Sequence, residues 1–394
     1  MDKEMIKSGI QKYTMILVLL CVTLFFTWQT NGSILYPQNV SNLISQNAYV
    51  FVLTTGMLLC ILTGGNVDLS IGSVVCFVGG VGGVVMQNMG MSISVTVVAM
   101  LVTGILIGAW QGYWIAFHRI PPFIVTLAGM FIFRGASNIV MDGKTISLNS
   151  DTSKMFVQIF GGGANCYVPD LFGGETINIT AILIGVALVV IYFAITVVSR
   201  INKKKKGYEL PTWKMTYGKV VLLSLVILWF TYKFAMYKGI PNALIWVGLV
   251  VLVYAYITSN TTVGRYFYAV GGNEKATKLS GINTNRVYFL AYTNMGMLSA
   301  VAAMLTIARM SSVGPTYGDS YEMDAIGSCF IGGASAYGGA GTVPGVIIGA
   351  TLMGVINLGM SIMGIDANYQ KVVKGAVLLA AVIFDVISKK ENSK

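Results

Sequence analysis

Apolar residues along this chain occur in runs of helix length, separated by short polar or glycine-rich interruptions. An α-helix needs about 20 mostly apolar residues to cross the hydrocarbon core of a bilayer. Strands of a membrane barrel would instead alternate apolar and polar residues, and these runs do not. The pattern predicts an all-α polytopic membrane protein with about twelve (10–12) transmembrane helices, including short or broken helices. The predicted spans are 13–28, 48–63, 71–86, 93–115, 123–140, 179–198, 220–232, 243–257, 287–308, 324–339, 343–363 and 372–387.

Composition supports the same class. Hydrophobic residues make up 55% of the chain and charged residues only 10%, whereas soluble domains carry roughly 25% charged residues. A single transmembrane domain over residues 1–394 is therefore expected. Gly104, Gly108 and Gly112 recur at every fourth position, which predicts a close helix–helix contact. The five cysteines lack metal-ligand spacing, so the sequence predicts neither a disulfide framework nor a metal site.

The net charge of +11 reflects membrane topology rather than a nucleic-acid partner, because the basic residues concentrate in particular loops. With both termini in the cytoplasm, the predicted cytoplasmic segments hold 18 of the 26 lysines and arginines, in agreement with the positive-inside rule. The densest cluster, Lys203 to Lys206, lies in a segment over 200–235 that is predicted to be a basic loop plus an extra span. Lys371 and Lys374 do not fit, since they lie near the outer end of the last predicted span.

A polar interruption between the second and third predicted spans is the first candidate functional segment. It contains Asn66, Asp68, Ser70 and Ser73 between two apolar runs. Polar groups are costly in hydrocarbon unless they face protein or water, so an interrupted helix of this kind is typical of a substrate pathway or a hinge. The alternative is a short cytoplasmic turn in which Asp68 or Ser70 caps the next helix.

A later segment, running from Asp324 to Ser328, is similar to the Asp68 segment, and a pair of glycines follows each of them. Transporters often contain paired broken helices in corresponding halves, with the pathway between them. This makes Asp324 and Ser328 further pathway candidates. Chance similarity between stretches rich in Gly, Ser and Ile is the alternative.

The polar segment over 264–286 is the other candidate. Asn273 is placed to cap a short helix that Gly281 would end, and Glu274 and Lys278 have the spacing of an i,i+4 ion pair. A compact cytoplasmic helix of this kind suits contact with a soluble partner, and a solvated loop is the alternative.

No group of residues indicates catalysis. The sole histidine, His118, is predicted to lie at a helix end, where an interfacial or capping role is expected. Gly143-Lys144-Thr145 lacks the first glycine of a phosphate-binding loop, and no nucleotide-binding domain surrounds Leu279-Ser280-Gly281. The chain is therefore expected not to hydrolyse ATP. An intramembrane enzyme and a stand-alone secondary carrier coupled through Asp68 are the competing hypotheses.

Several specific motifs follow one another in order along nearly the whole chain. They are Asp68-Leu69-Ser70-Ile71-Gly72-Ser73, Pro122-Phe123-Ile124-Val125-Thr126-Leu127-Ala128-Gly129-Met130, Gly264-Arg265, Ala269-Val270-Gly271-Gly272-Asn273, Leu279-Ser280-Gly281-Ile282, and Asp324-Ala325-Ile326 with Ile331-Gly332-Gly333. This set resembles the permease subunits of bacterial ABC importers for monosaccharides, a family that includes ribose, galactose, arabinose and xylose permeases. The length and the additional segment over 200–235 are most similar to the xylose and multiple-sugar branch.

The resemblance implies a permease subunit that moves monosaccharides inward across the bacterial plasma (inner) membrane. It implies a homodimer with the pathway at its interface, a periplasmic or lipid-anchored sugar-binding protein outside and an ABC ATP-binding subunit inside. That subunit would bind the ATP, so no cofactor is expected in this chain. The residues that would contact the ATP-binding subunit, carried over from the family, are Arg265, Gly271, Gly272, Asn273, Glu274, Lys278, Leu279, Ser280 and Gly281.

Overall fold

A computed structural model describes residues 3–161, 165–174, 176–208 and 212–392 of the chain. Part of the predicted basic loop, at 209–211, lies outside the described residues. The helices are α1 Lys3–Gln29, α2 Pro37–Leu62, α3 Ile71–Gly83, α4 Ile93–Phe117, α5 Pro122–Val140, α6 Asp151–Phe160, α7 Ile179–Lys205, α8 Trp213–Ala235, α9 Asn242–Asn260, α10 Thr262–Gly272, α11 Glu274–Leu279, α12 Thr284–Met310, α13 Tyr321–Ile331, α14 Val343–Ile362 and α15 Ala367–Asn392. Two short strands, β1 Ile146–Ser147 and β2 Ser312–Val313, pair antiparallel.

The predicted all-helical, polytopic class is confirmed. Among the described residues, nine helices are long and apolar enough to cross a membrane, namely α2, α3 with its π-helical continuation to Asn88, α4, α5, α7, α8, α9, α12 and α14. Helix α1 adds a shorter apolar stretch, Met15–Gln29. The expected count of about twelve spans is not confirmed.

The span predicted over 324–339 is instead a half-helix. Helix α13 has 11 residues, which is about 16 Å of helical rise and roughly half the thickness of the hydrocarbon core. It ends at Gly332, and the next residue, Gly333, has a φ of 86°, a left-handed conformation that glycine adopts without a Cβ clash. The prediction extended to residue 339, but Gly332 and Gly333 end the helix eight residues earlier.

Helix α12 is the centre of the fold and packs against α4, α2 and α3. Within the most apolar 18 residues of α12, 72% are buried. The corresponding share for α7 is 11%. The contact of α12 with α4 is close, because a Cβ added at Gly104 would lie 2.4 Å from the Gly296 carbonyl oxygen. A Cβ added at Gly108 would lie 2.4 Å from the Tyr292 carbonyl oxygen. The close contact expected from the glycine spacing is therefore present.

The predicted extra segment forms a peripheral hairpin. Helices α7 and α8 pack on each other, and α8 also contacts α2. At the turn of the hairpin, the Arg200 guanidinium lies 4.0 Å from the centre of the Trp213 ring. Lys203, Lys204 and Lys205 occupy the last turn of α7, where cations interact favourably with the helix dipole.

Replacing Gly108 by alanine should destabilise the protein. The new methyl group would overlap the α12 backbone, and overpacking of this kind costs about 1–3 kcal/mol. Gly135→Ala in α5 is the matched control, because a Cβ there meets nothing within 4 Å. The control should be neutral or stabilising by up to about 1 kcal/mol. Thermal unfolding of the detergent-solubilised protein measures both, and equal melting temperatures would contradict the close α4–α12 packing.

Candidate functional site

The segment between α2 and α3 forms a buried polar network. Asp68 is only 2% exposed, and its Oδ1 accepts hydrogen bonds from the Ser70 backbone N–H at 2.8 Å and the Ser70 hydroxyl at 2.6 Å. The Gln111 amide of α4 donates to the same hydroxyl at 2.7 Å. Ser70 precedes α3 but makes no side-chain cap to it, so its hydroxyl serves the network instead. Asn66 lies apart from this network and donates to the Thr63 carbonyl at 3.3 Å.

The starts of α3 and α13 meet. A Cβ added at Gly72, in the first turn of α3, would lie 2.1 Å from the Gly318 carbonyl oxygen, just before α13. The reciprocal contact is equally close, since a Cβ at Gly318 would lie 2.2 Å from the Gly72 carbonyl oxygen. The two segments singled out for their sequence similarity are therefore adjacent in space. Broken helices that meet in this way are the typical site of a translocation pathway.

Asp324 is held by protein partners. Its carboxylate is fully buried, accepts a hydrogen bond from the Tyr49 hydroxyl at 2.6 Å and lies 3.0 Å from the Lys374 ammonium of α15. Ser328 donates back to the Asp324 carbonyl at 2.6 Å. Lys374, one of the two lysines that did not fit the positive-inside pattern, is thus the counter-ion of the buried Asp324 carboxylate. A direct role of Asp324 or Ser328 in the pathway stays a prediction.

The predicted short helix in the 264–286 segment is present. Helix α11 spans Glu274–Leu279, and the Asn273 side chain caps it by accepting from the Ala276 N–H at 2.9 Å. Gly281 follows with a φ of 85°, as expected of a residue that ends a helix.

The expected ion pair within α11, between Glu274 and Lys278, is not formed in the described structure. The Glu274 carboxylate instead lies 2.7 Å from the Arg119 guanidinium, in the loop between α4 and α5. It also accepts hydrogen bonds from the Thr284 and Tyr288 hydroxyls of α12, each at 3.1 Å. The Glu274 carboxylate is therefore bound by several fixed donors rather than by the flexible, solvated Lys278. Charge-assisted hydrogen bonds are stronger than neutral ones, which favours the contact with Arg119.

The ionisation of Glu274 follows from this arrangement. Partial burial by itself would raise its pKa, but the hydrogen bond and positive charge of Arg119 outweigh burial, and the pKa lies below its ordinary value. The carboxylate is therefore ionised at neutral pH, and the pair with Arg119 ties α11 to the α4–α5 loop.

The backbone of the same segment contacts the two broken regions, which are the break between α2 and α3 and the turn that follows α13. A Cβ added at Gly271 would lie 1.7 Å from the Leu62 carbonyl oxygen at the end of α2 and 2.5 Å from the Gly339 nitrogen in the turn after α13. The Gly339 N–H donates to the same Leu62 carbonyl at 3.1 Å. We call this three-way contact, formed by Leu62, Gly271 and Gly339, the junction. Only glycine permits so close a backbone approach at position 271.

The opposite side of the segment is open. The Leu279 side chain is 90% exposed at the end of α11. The exposed residues of the predicted coupling set share this surface or flank it; they are Arg265, Gly272, Asn273, Lys278, Leu279, Ser280 and Gly281. A protein partner that covers this surface would bury the Leu279 side chain and gain the free energy of that burial.

The residues that hold this segment in place were not predicted from the sequence. Arg119 was assigned no role, and no pattern linked it to Glu274, 155 positions away along the chain. Thr277 was also missed. Its hydroxyl donates to the carbonyls of Ala269 and Asn273, both at 2.8 Å, and so joins α10 to α11.

A protein-family model described as "Branched-chain amino acid transport system / permease component" matches residues 39–382. Among curated proteins, the xylose transport system permease protein XylH of Escherichia coli K12 is 34% identical over 384 residues, covering 98% of this chain and 94% of XylH. XylH of Haemophilus influenzae is 32% identical over 97% of this chain and 98% of its own length. The ribose import permease protein RbsC of Escherichia coli K12 is 31% identical over 88% of this chain and 85% of RbsC. No solved structure gives a significant match.

Replacing Ser70 by alanine should destabilise the protein by about 1–3 kcal/mol, because Asp68 and Gln111 would each lose a buried hydrogen-bond partner. Ser73→Ala, on the same helix, is the control. The Ser73 hydroxyl is buried and has no partner among the described residues, so its removal should not destabilise the protein. Thermal unfolding in detergent separates the two variants. A smaller loss for Ser70→Ala than for Ser73→Ala would refute the network.

Replacing Lys374 by methionine should be strongly destabilising. It leaves the Asp324 carboxylate buried without its counter-ion, and breaking a buried pair costs about 3–5 kcal/mol. Lys371→Met breaks the exposed pair with Asp319 at 2.6 Å and should cost about 0–1 kcal/mol. Adding Asp324→Asn to Lys374→Met should recover part of the loss. Chemical unfolding monitored by tryptophan fluorescence tests the series, and equal effects of the two lysine variants would argue against a structural role for the buried pair.

Proposed function

The chain belongs to the family of transport-system permease components that matches residues 39–382, and from this premise we propose that it is the transmembrane subunit of an ABC importer for monosaccharides. The family description names branched-chain amino acids, whereas the relatives that align over most of this chain are xylose and ribose permeases. The substrate class proposed is therefore a monosaccharide of the xylose, ribose, arabinose or galactose/glucose class. The direction of transport is inward across the bacterial inner membrane, in which the chain is a multi-pass protein.

The observation that carries this proposal is the contact of the 264–286 segment with both broken regions. Its exposed side presents Leu279, and its buried side reaches α2 and the turn after α13 through the junction. An external motor that pushes on α11 would thereby move the two broken regions together. This is the arrangement that a permease driven by a separate ATPase requires.

We propose three partners for the chain. An ABC ATP-binding subunit would contact the coupling surface formed by Arg265, Gly271 to Glu274 and Lys278 to Gly281. A periplasmic or lipid-anchored sugar-binding protein would dock on the opposite side of the membrane. A second copy of the chain would complete a homodimer with the pathway at its interface, and Asn66, Asp68, Ser70 and Ser73 would lie near that pathway.

The proposed topology places both termini and α11 in the cytoplasm. The excess of lysine and arginine in the loops assigned to this side supports it. The chain itself would catalyse no reaction, and the free energy for transport would come from ATP hydrolysis in the partner. Closure of the ATP-binding subunits would shift the population between outward-open and inward-open states through Glu274, Arg119 and the junction.

Replacing Leu279 by aspartate should abolish assembly with the ATP-binding subunit and ATP-driven sugar uptake. The side chain is almost fully exposed, so the substitution should leave the fold intact while placing a charge in an apolar contact. Co-purification with the ATPase, ATPase stimulation and xylose uptake into proteoliposomes measure the effect. Leu171→Asp is the matched control, since Leu171 is 76% exposed in the loop between α6 and α7 and should not change co-purification.

The competing hypothesis of a secondary carrier coupled through Asp68 predicts the opposite result. In that case the purified chain alone would accumulate sugar in liposomes under an ion gradient, and Leu279→Asp would have no effect on uptake. Normal ATPase assembly and uptake in the Leu279→Asp variant would contradict the assignment of the coupling surface.

A further inference from the structure

A cavity of about 350 Å³ opens between α2, α12 and α13. It is distinct from the Asp68 network and from the coupling surface, and neither sequence motifs nor the proposed function above assigned it a role. Its volume falls in the range of small-molecule sites, roughly 300–1,000 Å³. The residues that give it chemical character are Ser45, Gln46, Tyr49, Thr306, Arg309 and Tyr321.

The cavity contains a buried polar group without a partner. Ser45 is 8% exposed, and its hydroxyl forms no hydrogen bond with any described residue. A serine in a helix usually satisfies itself by bonding the carbonyl one turn earlier, as Thr55 does further along α2 at 2.7 Å. Leaving a buried hydroxyl unpaired costs about 1–3 kcal/mol, so a ligand in the cavity that bonds to Ser45 would remove this cost.

One wall of the cavity is a rigid aromatic pair. The rings of Tyr49 and Tyr321 are stacked with their centres 3.5 Å apart and an angle of 11° between their planes. The Tyr49 hydroxyl is fixed by its bond to Asp324, which is itself held by Lys374. The wall is therefore set in place before any ligand enters, and a pre-organised site loses little entropy on binding.

The lining combines groups that suit an uncharged sugar. The Ser45 and Thr306 hydroxyls and the Gln46 amide can each donate and accept a hydrogen bond. The planar Arg309 guanidinium offers several N–H donors. Arg309 forms no ion pair with a carboxylate in the described part of the chain, so a bound ligand would not have to displace one. The aromatic wall offers an apolar surface to the C–H face of a sugar ring.

The cavity lies at the end of α2 and α12 that is remote from the coupling surface. Ser45 precedes Leu62 of the junction by 17 residues of α2, about 25 Å along the helix. Thr306 is likewise near the end of α12 that is remote from Thr284, the partner of Glu274. The cavity therefore lies at the opposite end of the central helices from the coupling surface. With the coupling surface in the cytoplasm, the cavity lies in the outer half of the membrane.

Resting on the proposed function, we infer that this cavity is a binding site for an uncharged monosaccharide in the outer half of the permease. It takes the sugar after its release from the binding protein and before the inner half opens. Affinity is low, with a half-saturating concentration on the order of 1 mM, because a site within a pathway must also let its ligand leave.

The test uses a thiol reporter in the cavity. Met310 lines the cavity and is 54% exposed, and Cys21 is the exposed native cysteine whereas the other four are buried. Met310→Cys is made in a Cys21→Ser background, assembled with the ATP-binding subunit in proteoliposomes and treated with a hydrophilic methanethiosulfonate. D-xylose or D-ribose should slow modification several-fold in a saturable manner, compared with glycine betaine at equal osmolality. Met363→Cys, at the end of α14 and 40% exposed, is the control and should not be protected.

Two further substitutions test the assigned contacts. Ser45→Ala and Arg309→Gln, each combined with the reporter, should raise the sugar concentration that gives half-maximal protection. Gln46→Cys, on α2, is a second reporter and carries the test if Met310→Cys fails to assemble.

The outcomes distinguish this inference from the proposed function. Absence of protection at both reporters, in a transporter that imports sugar with its partners, would overturn the cavity site and leave the proposed function standing. Equal protection of Met363→Cys, or protection by leucine instead of sugar, would also overturn the site. Failure of the wild-type assembly to import any sugar would reject the proposed function itself.

Discussion

A helix that is broken inside a bilayer leaves backbone N–H and C=O groups without partners, and these groups must be covered by protein. The rest of this structure follows from the way in which the chain meets that constraint. The starts of α3 and α13 lie against each other at Gly72 and Gly318, so that each break covers the other. Polar side chains complete the coverage, with Asp68 bonded to Ser70 on one side and Asp324 to Tyr49 and Lys374 on the other. Helix α12 packs against α2 and α3, on either side of the first break, and is among the most buried helices.

The same packing links the breaks to the surface of the protein. At the junction, the backbone of the 264–286 segment contacts the end of α2 and the turn after α13 without intervening side chains. A backbone contact of this kind cannot be absorbed by a change of rotamer. Displacement of α11 must therefore move the broken regions or break the junction, and the Glu274–Arg119 pair extends the link to the α4–α5 loop.

Much of this architecture was accessible from sequence, because bilayer thickness and hydropathy leave few choices of element. The all-helical class, the glycine-spaced α4 contact and the Asn273 cap of α11 all follow from local patterns. The failures are non-local. The length of α13 depended on a glycine pair within an apolar run, and the partner of Glu274 proved to be Arg119 rather than the nearby Lys278. The Lys374–Asp324 pair and the cavity between α2, α12 and α13 arise from residues far apart in sequence, for which a single chain carries no pattern.

The buried pair between α13 and α15 also bears on how the chain enters the membrane during synthesis. Helix α13 is too short to span the bilayer and carries Glu322 and Asp324 in its first turn, so it does not partition into lipid on its own. Its counter-ion, Lys374, is encoded 50 residues later. The contact that neutralises the buried Asp324 carboxylate can therefore form only after α15 has been synthesised. The burial of α13, an earlier element of the chain, thus depends on the last helix for its counter-ion.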